Sequence, residues 1–200
     1  MSEQVVAGGR LWDRTRRAVQ EQVVEVALSL FADQGFDATT IDQIARAAGI
    51  SRRTFFRYFG TKEDLVLGDT DEQRRVLAAA LEARPPHEDP WTALRRAAEA
   101  LPEAQVPPAR ALAVAQLVVT SASLEARHLQ KHAAWQEVLA PLVARRMGLD
   151  TSPAPDVRAT AVVAAALACL DVATRAWLGS GGRRSLEDLY ADAVDAVRGS

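Results

Sequence analysis

Apolar residues return every three or four positions along nearly the whole chain, and runs of strict apolar–polar alternation are absent. That period is helical, so the sequence predicts an all-α protein of about nine helices. The first is expected over residues 15–34, with Val19, Val23, Val26, Ala27, Leu30 and Phe31 as its buried stripe. Gly35 stands where a left-handed C-terminal cap is wanted, and Phe36 can fold back on Phe31. Thr40 and Gln43 have capping-box spacing and open a short second helix that ends at Gly49. Ser51 can cap a third helix over residues 52–59, and Thr61 a long fourth over residues 62–84. Two short helices joined by a Gly-containing turn outline a helix-turn-helix.

After "RPPHEDP" the pattern restarts, with Asp89 as N-cap and Pro90 at the first helical position. Pro107 and Pro108 open another helix. Helical spacing then runs to Met147, with a break expected near residues 120–123 and a kink at Pro141. A long, Ala-rich helix is expected over residues 154–179. Ser185 and Asp188 have capping spacing for a last one.

Composition changes this picture little. The formal net charge is −2, but residues 1–62 hold nine basic and seven acidic side chains against fifteen and nineteen in the remainder. A basic head on an acidic body follows. A single cysteine, Cys169, excludes an internal disulfide, and no zinc-type Cys/His pattern exists. Cys169 is expected in the core. The longest apolar run, residues 161–170, is about half of what spans a bilayer. Residues 1–20 carry four arginines and no signal-peptide core, so a cytoplasmic protein without membrane contact is expected.

The segment "RRTFFRYFGTK" (52–62) mixes rings with positive charge. At 100° per residue, Phe55, Tyr58 and Phe59 share one side of the helix, while Arg53, Thr54 and Arg57 share the other. Eight residues cannot hold a helix unaided, so Phe55 and Phe59 are expected to anchor it. The opposite face offers two arginines one turn apart, a fit for a major groove. Arg52, Arg53 and Lys62 sit at helix starts, where the dipole disfavours cations. Three such residues point to a nearby anion, and phosphate fits.

Residues 35–66, "GFDATTIDQIARAAGISRRTFFRYFGTKEDLV", resemble the helix-turn-helix signature of the TetR family of bacterial transcription regulators. The resemblance implies a homodimer with an N-terminal DNA-binding domain, residues 1–62, and a larger effector-binding and dimerisation domain, residues 63–200. It implies a ligand-responsive repressor acting on palindromic double-stranded DNA. Carried over, it assigns DNA contact to Thr40 and Ser51 at the caps and to Arg52, Arg53, Thr54, Phe56, Arg57 and Tyr58 on the recognition helix. Lys62 corresponds to a phosphate-binding lysine. Phe56 replaces a tyrosine common in the family and has no hydroxyl to donate; it touches a thymine methyl or sugar, or packs. The fourth helix is expected to link the two domains.

The segment "GGRLWDRTRR", with Arg10, Arg14, Arg16, Arg17 and Trp12, is either an arm reaching the minor groove or a solubilising tail. The apolar helix over residues 154–179 must be covered all round, by a twin subunit or by a monomer core. Leu94, Leu101, Leu112 and Gln116 are candidate pocket residues, together with Thr120, Leu124, Trp135 and Leu139. Leu142 belongs to the same group. Residues 125–150 and the helix that follows are similar to a branch of the family related to the mycofactocin regulator. That likeness implies an acyl-CoA type of ligand.

His128 and His132 stand at i,i+4 with Glu125 a turn earlier, a spacing that suits zinc. No further ligand motif accompanies them, so an exposed helix face is expected, with no metal and no cofactor. Asp171 and Arg175 are expected to form an ion pair within their helix. No Ser/His/Asp or metal motif supplies a catalytic set, so no enzyme is expected.

Overall fold

The computed structural model describes residues 3–151 and 156–199, with the backbone alone for residues 3–15 and Arg17. Among them are ten α-helices, one 3-10 turn and no strand. Two compact units divide the chain, Met1–Val66 and Leu67–Ser200.

The N-terminal unit holds α1 (Glu3–Gln34), α2 (Ile41–Ala47), α3 (Arg52–Phe59) and most of α4 (Lys62–Leu67). α1 begins twelve residues before the expected start, so the segment read as either an arm or a solubilising tail is helical backbone. The roles assigned to Arg10, Trp12, Arg14 and Arg17 lie outside the described side chains. Val23, Val24, Ala27 and Phe31 of α1 are buried with Phe36, Ile44, Ala45 and Phe55. Gly35 ends α1 at φ +85°, and the Phe31 and Phe36 rings meet at 4.9 Å across that turn.

The expected long fourth helix is two helices. α4 stops at Gly68, φ +80°, and α5 (Thr70–Glu82) starts on the cap Asp69, whose carboxylate accepts from the N–H groups of Asp71 and Glu72. Glycine is favoured there by its backbone angle first and by space second. Its φ lies in the left-handed region, and a Cβ would collide with the Glu103 carboxylate and the Gln73 amide.

The C-terminal unit continues with α6 (Pro90–Ala98), a 3-10 turn (Pro102–Gln105), α7 (Pro108–Thr120), α8 (Ala122–Arg146), α9 (Val157–Gly179) and α10 (Leu186–Arg198). Asp89 and Ser185 cap α6 and α10 as expected, and Ser121 makes the expected break between α7 and α8. α8 runs through Pro141. One core joins α5, α6, α8 and α9 through Leu77, Leu81, Leu94, Trp135, Val143 and Val163. A second joins α9 and α10 through Cys169, Trp177, Leu189 and Val194. Cys169 is buried, and burial raises its thiol pKa.

By length and composition α9 could cross a membrane. Its Ala159, Val163, Ala166, Cys169, Ala173 and Trp177 are nevertheless buried at helical spacing in the unit's cores. The start expected at residue 154 lies outside the described residues.

Candidate functional site

The α2–turn–α3 segment is held by caps. Thr40 accepts from the Gln43 N–H at 3.2 Å while the Gln43 side chain accepts from the Thr40 N–H at 2.8 Å, a complete capping box. Gly49 turns the chain at φ +69°, and Ile50 N–H donates to the Ala45 carbonyl at 2.9 Å. Ser51 accepts from the Thr54 N–H at 3.1 Å, and its hydroxyl lies 2.8 Å from that of Thr54. The cap bonds satisfy donors, and the Ile50 bond an acceptor, that helix geometry leaves open. α3 is thereby set at a defined angle despite its length.

Its two faces differ as their spacing predicts. Phe55 is 0% exposed and packs on Phe59 with centroids 5.3 Å apart. Tyr58 and Phe59 are half-buried, and Phe56 is 42% exposed. Arg53 and Arg57 are exposed, and neither has an acidic partner among the described residues. The Arg57 guanidinium lies 5.0 Å from the Tyr58 centroid, with Arg16 at 5.8 Å from the same ring. Stacking of this kind orders a guanidinium without neutralising it.

The other two cations have partners inside the protein. Arg52 donates to both oxygens of Asp42 at 3.2 Å and lies over Phe56. The Lys62 ammonium donates to the carbonyls of Phe36 at 2.8 Å and Thr39 at 2.9 Å, above the Phe36 ring. The anion inferred from three cations at helix starts is therefore met internally for Arg52 by a carboxylate and for Lys62 by carbonyls. Arg53 and Arg57 remain as the open positive charge. The Arg52–Asp42 pair is solvent-exposed, so it is worth about 0–1 kcal/mol and exchanges readily for another anion.

In the C-terminal unit, the candidate pocket residues differ in burial. Leu94, Leu101, Trp135 and Leu139 share the larger core, and Leu124 is fully buried. Leu112 is half-buried against the second core, while Gln116 and Thr120 are exposed. Thr120 Oγ donates to the Gln116 carbonyl at 2.8 Å. Trp135 is buried, and its indole N–H has no hydrogen-bond partner among the described residues.

Beside Trp135, the i,i+4 histidine pair meets a partner that sequence spacing missed, Asp171. His128 Nε2 is 2.8 Å from Asp171 Oδ1, and His132 Nδ1 is 3.5 Å from Oδ2 of the same carboxylate. The two imidazoles lie 4.1 Å apart, and His132 is buried rather than exposed. Burial pushes the His132 pKa down against the pull of Asp171. Burial raises the Asp171 pKa, but hydrogen bonds from both histidines outweigh it and hold the carboxyl well below the usual range. Asp171 thus pairs with α8 and not with Arg175, which bonds Glu125 at 3.4 Å. The i,i+4 rule orders neighbours on one helix surface and is blind to a partner on a packed helix. The Lys131 ammonium lies 4.8 Å from the Trp135 centroid, and burial lowers its pKa to about 8 while Glu103 and Asp171 pull the other way.

A capped helix pair presenting an unneutralised cationic second helix, followed by a larger helical unit, is the architecture of a helix-turn-helix DNA-binding regulator. Residues 23–68 match the family described as bacterial regulatory proteins, tetR family, and residues 88–200 match the MftR C-terminal domain. The chain is 32% identical over 200 residues to the HTH-type transcriptional regulator TcmR of Streptomyces glaucescens, covering 96% of this chain and 88% of that protein. It is 33% identical over 142 residues to the mycofactocin biosynthesis transcriptional regulator MftR of Mycobacterium tuberculosis, covering 70% and 71%. FadR of Bacillus subtilis, solved in complex with stearoyl-CoA, superposes at TM-score 0.55 with 13% identity, over 88% of this chain and 95% of that one, a likeness of fold alone. The chain belongs to the TetR family of bacterial transcription regulators. The matched families and relatives are DNA-binding regulators and not enzymes.

Proposed function

We propose that this regulator is a repressor that grips a palindromic operator as a homodimer in the cytoplasm and lets go when a small apolar or acyl-type effector binds its C-terminal unit. The observation that carries the DNA half is the exposed face of α3, where Arg53 and Arg57 stand without acidic partners among the described residues. Arg53, Phe56 and Arg57 reach base edges, and Tyr58 orients Arg57. Arg52 exchanges Asp42 for a phosphate. Thr40, Ser51 and Thr54 hold the two helices at the groove. Lys62 braces the loop before α2, with a third ammonium proton left for phosphate.

The dimer reading is supported by α9. Val157, Ala161, Ala164, Ala168 and Val172 form an exposed stripe of apolar residues along it. Small side chains at this spacing let a twin helix approach closely, and two-fold pairing would present two α3 helices to grooves about 34 Å apart. The acyl class rests on what the resemblance to the mycofactocin-regulator branch implies, a branch whose C-terminal domain matches residues 88–200. It also rests on the apolar character of Leu94, Leu101, Leu124 and Leu139, with the free Trp135 indole N–H as a polar anchor. Leu112, Gln116 and Thr120 are assigned to the outer end of the same site. Ligand binding that favours one conformation of the dimer over another would shift DNA affinity by the same free energy.

Titration of operator binding against acyl-CoAs of increasing chain length tests the effector half. The expected result is weaker DNA binding as acyl-CoA rises. Operator affinity that stays constant across the series contradicts an acyl effector.

A further inference from the structure

We propose that His128, His132 and Asp171 form a binding site for a divalent transition-metal ion of the zinc type, clamping α8 to α9. The three side chains offer three ligand atoms that all lie within 4.8 Å of one another. His128 presents Nε2 and His132 presents Nδ1 toward the two oxygens of one carboxylate, at 2.8 and 3.5 Å. In a tetrahedral zinc site the metal–ligand bonds of about 2.0–2.2 Å hold ligand atoms roughly 3.3 Å apart. The two distances to Asp171 run to different carboxylate oxygens, and the three ligand atoms lie within 4.8 Å, so side-chain rotation must draw them together to seat an ion.

The backbone has already set the geometry. An i,i+4 pair on α8 puts both imidazoles on one helix face, stacked at 4.1 Å. Asp171 arrives from α9, 43 residues away in sequence from His128. No loop has to order for the site to close. Two borderline imidazoles beside one hard carboxylate suit Zn²⁺, Co²⁺, Ni²⁺ and Cu²⁺, and the imidazoles discriminate against Mg²⁺ and Ca²⁺, which want all-oxygen shells. Glu125, the acid one turn before His128, is engaged by Arg175 and stands outside the set. Three protein ligands leave a fourth position for water or an added donor, as in open rather than purely structural zinc sites. Lys131 lies close to the site and its charge interacts with Asp171, so it weakens cation binding.

The site does not depend on the DNA reading, and its test reads metal uptake alone. Tag-free full-length protein is stripped with EDTA and titrated with Co²⁺, Zn²⁺ and Mg²⁺. One equivalent of Co²⁺ per chain is expected, with d–d absorption and without the charge-transfer band a thiolate would give. Zn²⁺ should displace it, and Mg²⁺ should not. His128→Gln and Asp171→Asn are each expected to weaken binding at least tenfold, and Lys131→Met to strengthen it. His87→Gln, which changes the third histidine of the chain, should leave binding unchanged. Uptake well below one equivalent overturns the proposal, as does binding that survives both His128→Gln and Asp171→Asn or a cobalt spectrum with thiolate character. The wild-type spectrum alone decides if a variant fails to fold.

Discussion

The Lys62 ammonium donates to the Phe36 carbonyl at 2.8 Å, tying the start of α4 to the loop before α2, 26 residues earlier. A second bond reaches the Thr39 carbonyl at 2.9 Å. Hydrogen bonds from a charged donor contribute about 1.5–3 kcal/mol, and these are partly shielded from water. Lys62→Met is therefore expected to destabilise the N-terminal unit by about 2 kcal/mol. Chemical denaturation followed by tryptophan-independent circular dichroism checks this. A loss of DNA affinity with unchanged stability would instead make Lys62 purely a phosphate ligand.

The capping box at α2 gives a smaller and sharper expectation. Thr40→Ala removes the acceptor for Gln43 N–H and is expected to cost about 1 kcal/mol, whereas Thr40→Ser retains most of it. Paired denaturation curves for the two variants measure the difference. Equal losses would show that the methyl group, and not the hydroxyl, matters.

Gly68 separates α4 from α5 at φ +80°, with the Glu103 carboxylate and Gln73 amide against its Cα. Gly68→Ala meets both the left-handed penalty and the collision, so a loss above about 1 kcal/mol is expected. Glu103→Ala combined with it should recover part of the loss by opening space. Additive effects in that double mutant would contradict the steric account.

Glu88 provides the pH test. Its carboxylate accepts from Nε and Nη2 of Arg84, each at 2.7 Å, and from Arg96 at 2.6 Å. The Arg84 bond leads in holding its pKa at about 2, against an ordinary 4.5. A group whose folded pKa is depressed contributes stability above its unfolded pKa and loses it as pH falls toward the folded one. The melting temperature of the wild type should therefore drop between about pH 4.5 and 2 more steeply than that of Glu88→Gln. Parallel slopes would show the pair to be energetically idle.

What could be read from the sequence was what is local in the chain. Gly35, Thr40, Ser51, Thr61, Asp89 and Ser185 were legible as caps because a cap and its partner stand within three or four residues. The split of α3 into a buried Phe55 side and an exposed arginine side was legible for the same reason. The α4–α5 break was not, since Gly68 is tolerable inside a helical pattern and Glu103, which crowds it, lies far along the chain. The start of α1 at Glu3 was missed because Gly8 and Gly9 lower helix propensity without forbidding a helix. Asp42 beside Arg52, the carbonyls beneath Lys62 and the Asp171 bridge to two histidines are tertiary pairings. No spacing rule within one helix encodes them.

The central claim is that the exposed guanidinium groups of α3 dock on duplex DNA. Its most direct test is the salt dependence of binding to a duplex selected from a random pool by the purified full chain. The account predicts a palindromic site for which the logarithm of the binding constant falls linearly with log salt, with Arg53→Ala and Arg57→Ala each weaker by about 1–3 kcal/mol per contact and shallower in slope. Selection that enriches no duplex, or variants matching the wild type in both affinity and slope, would contradict it.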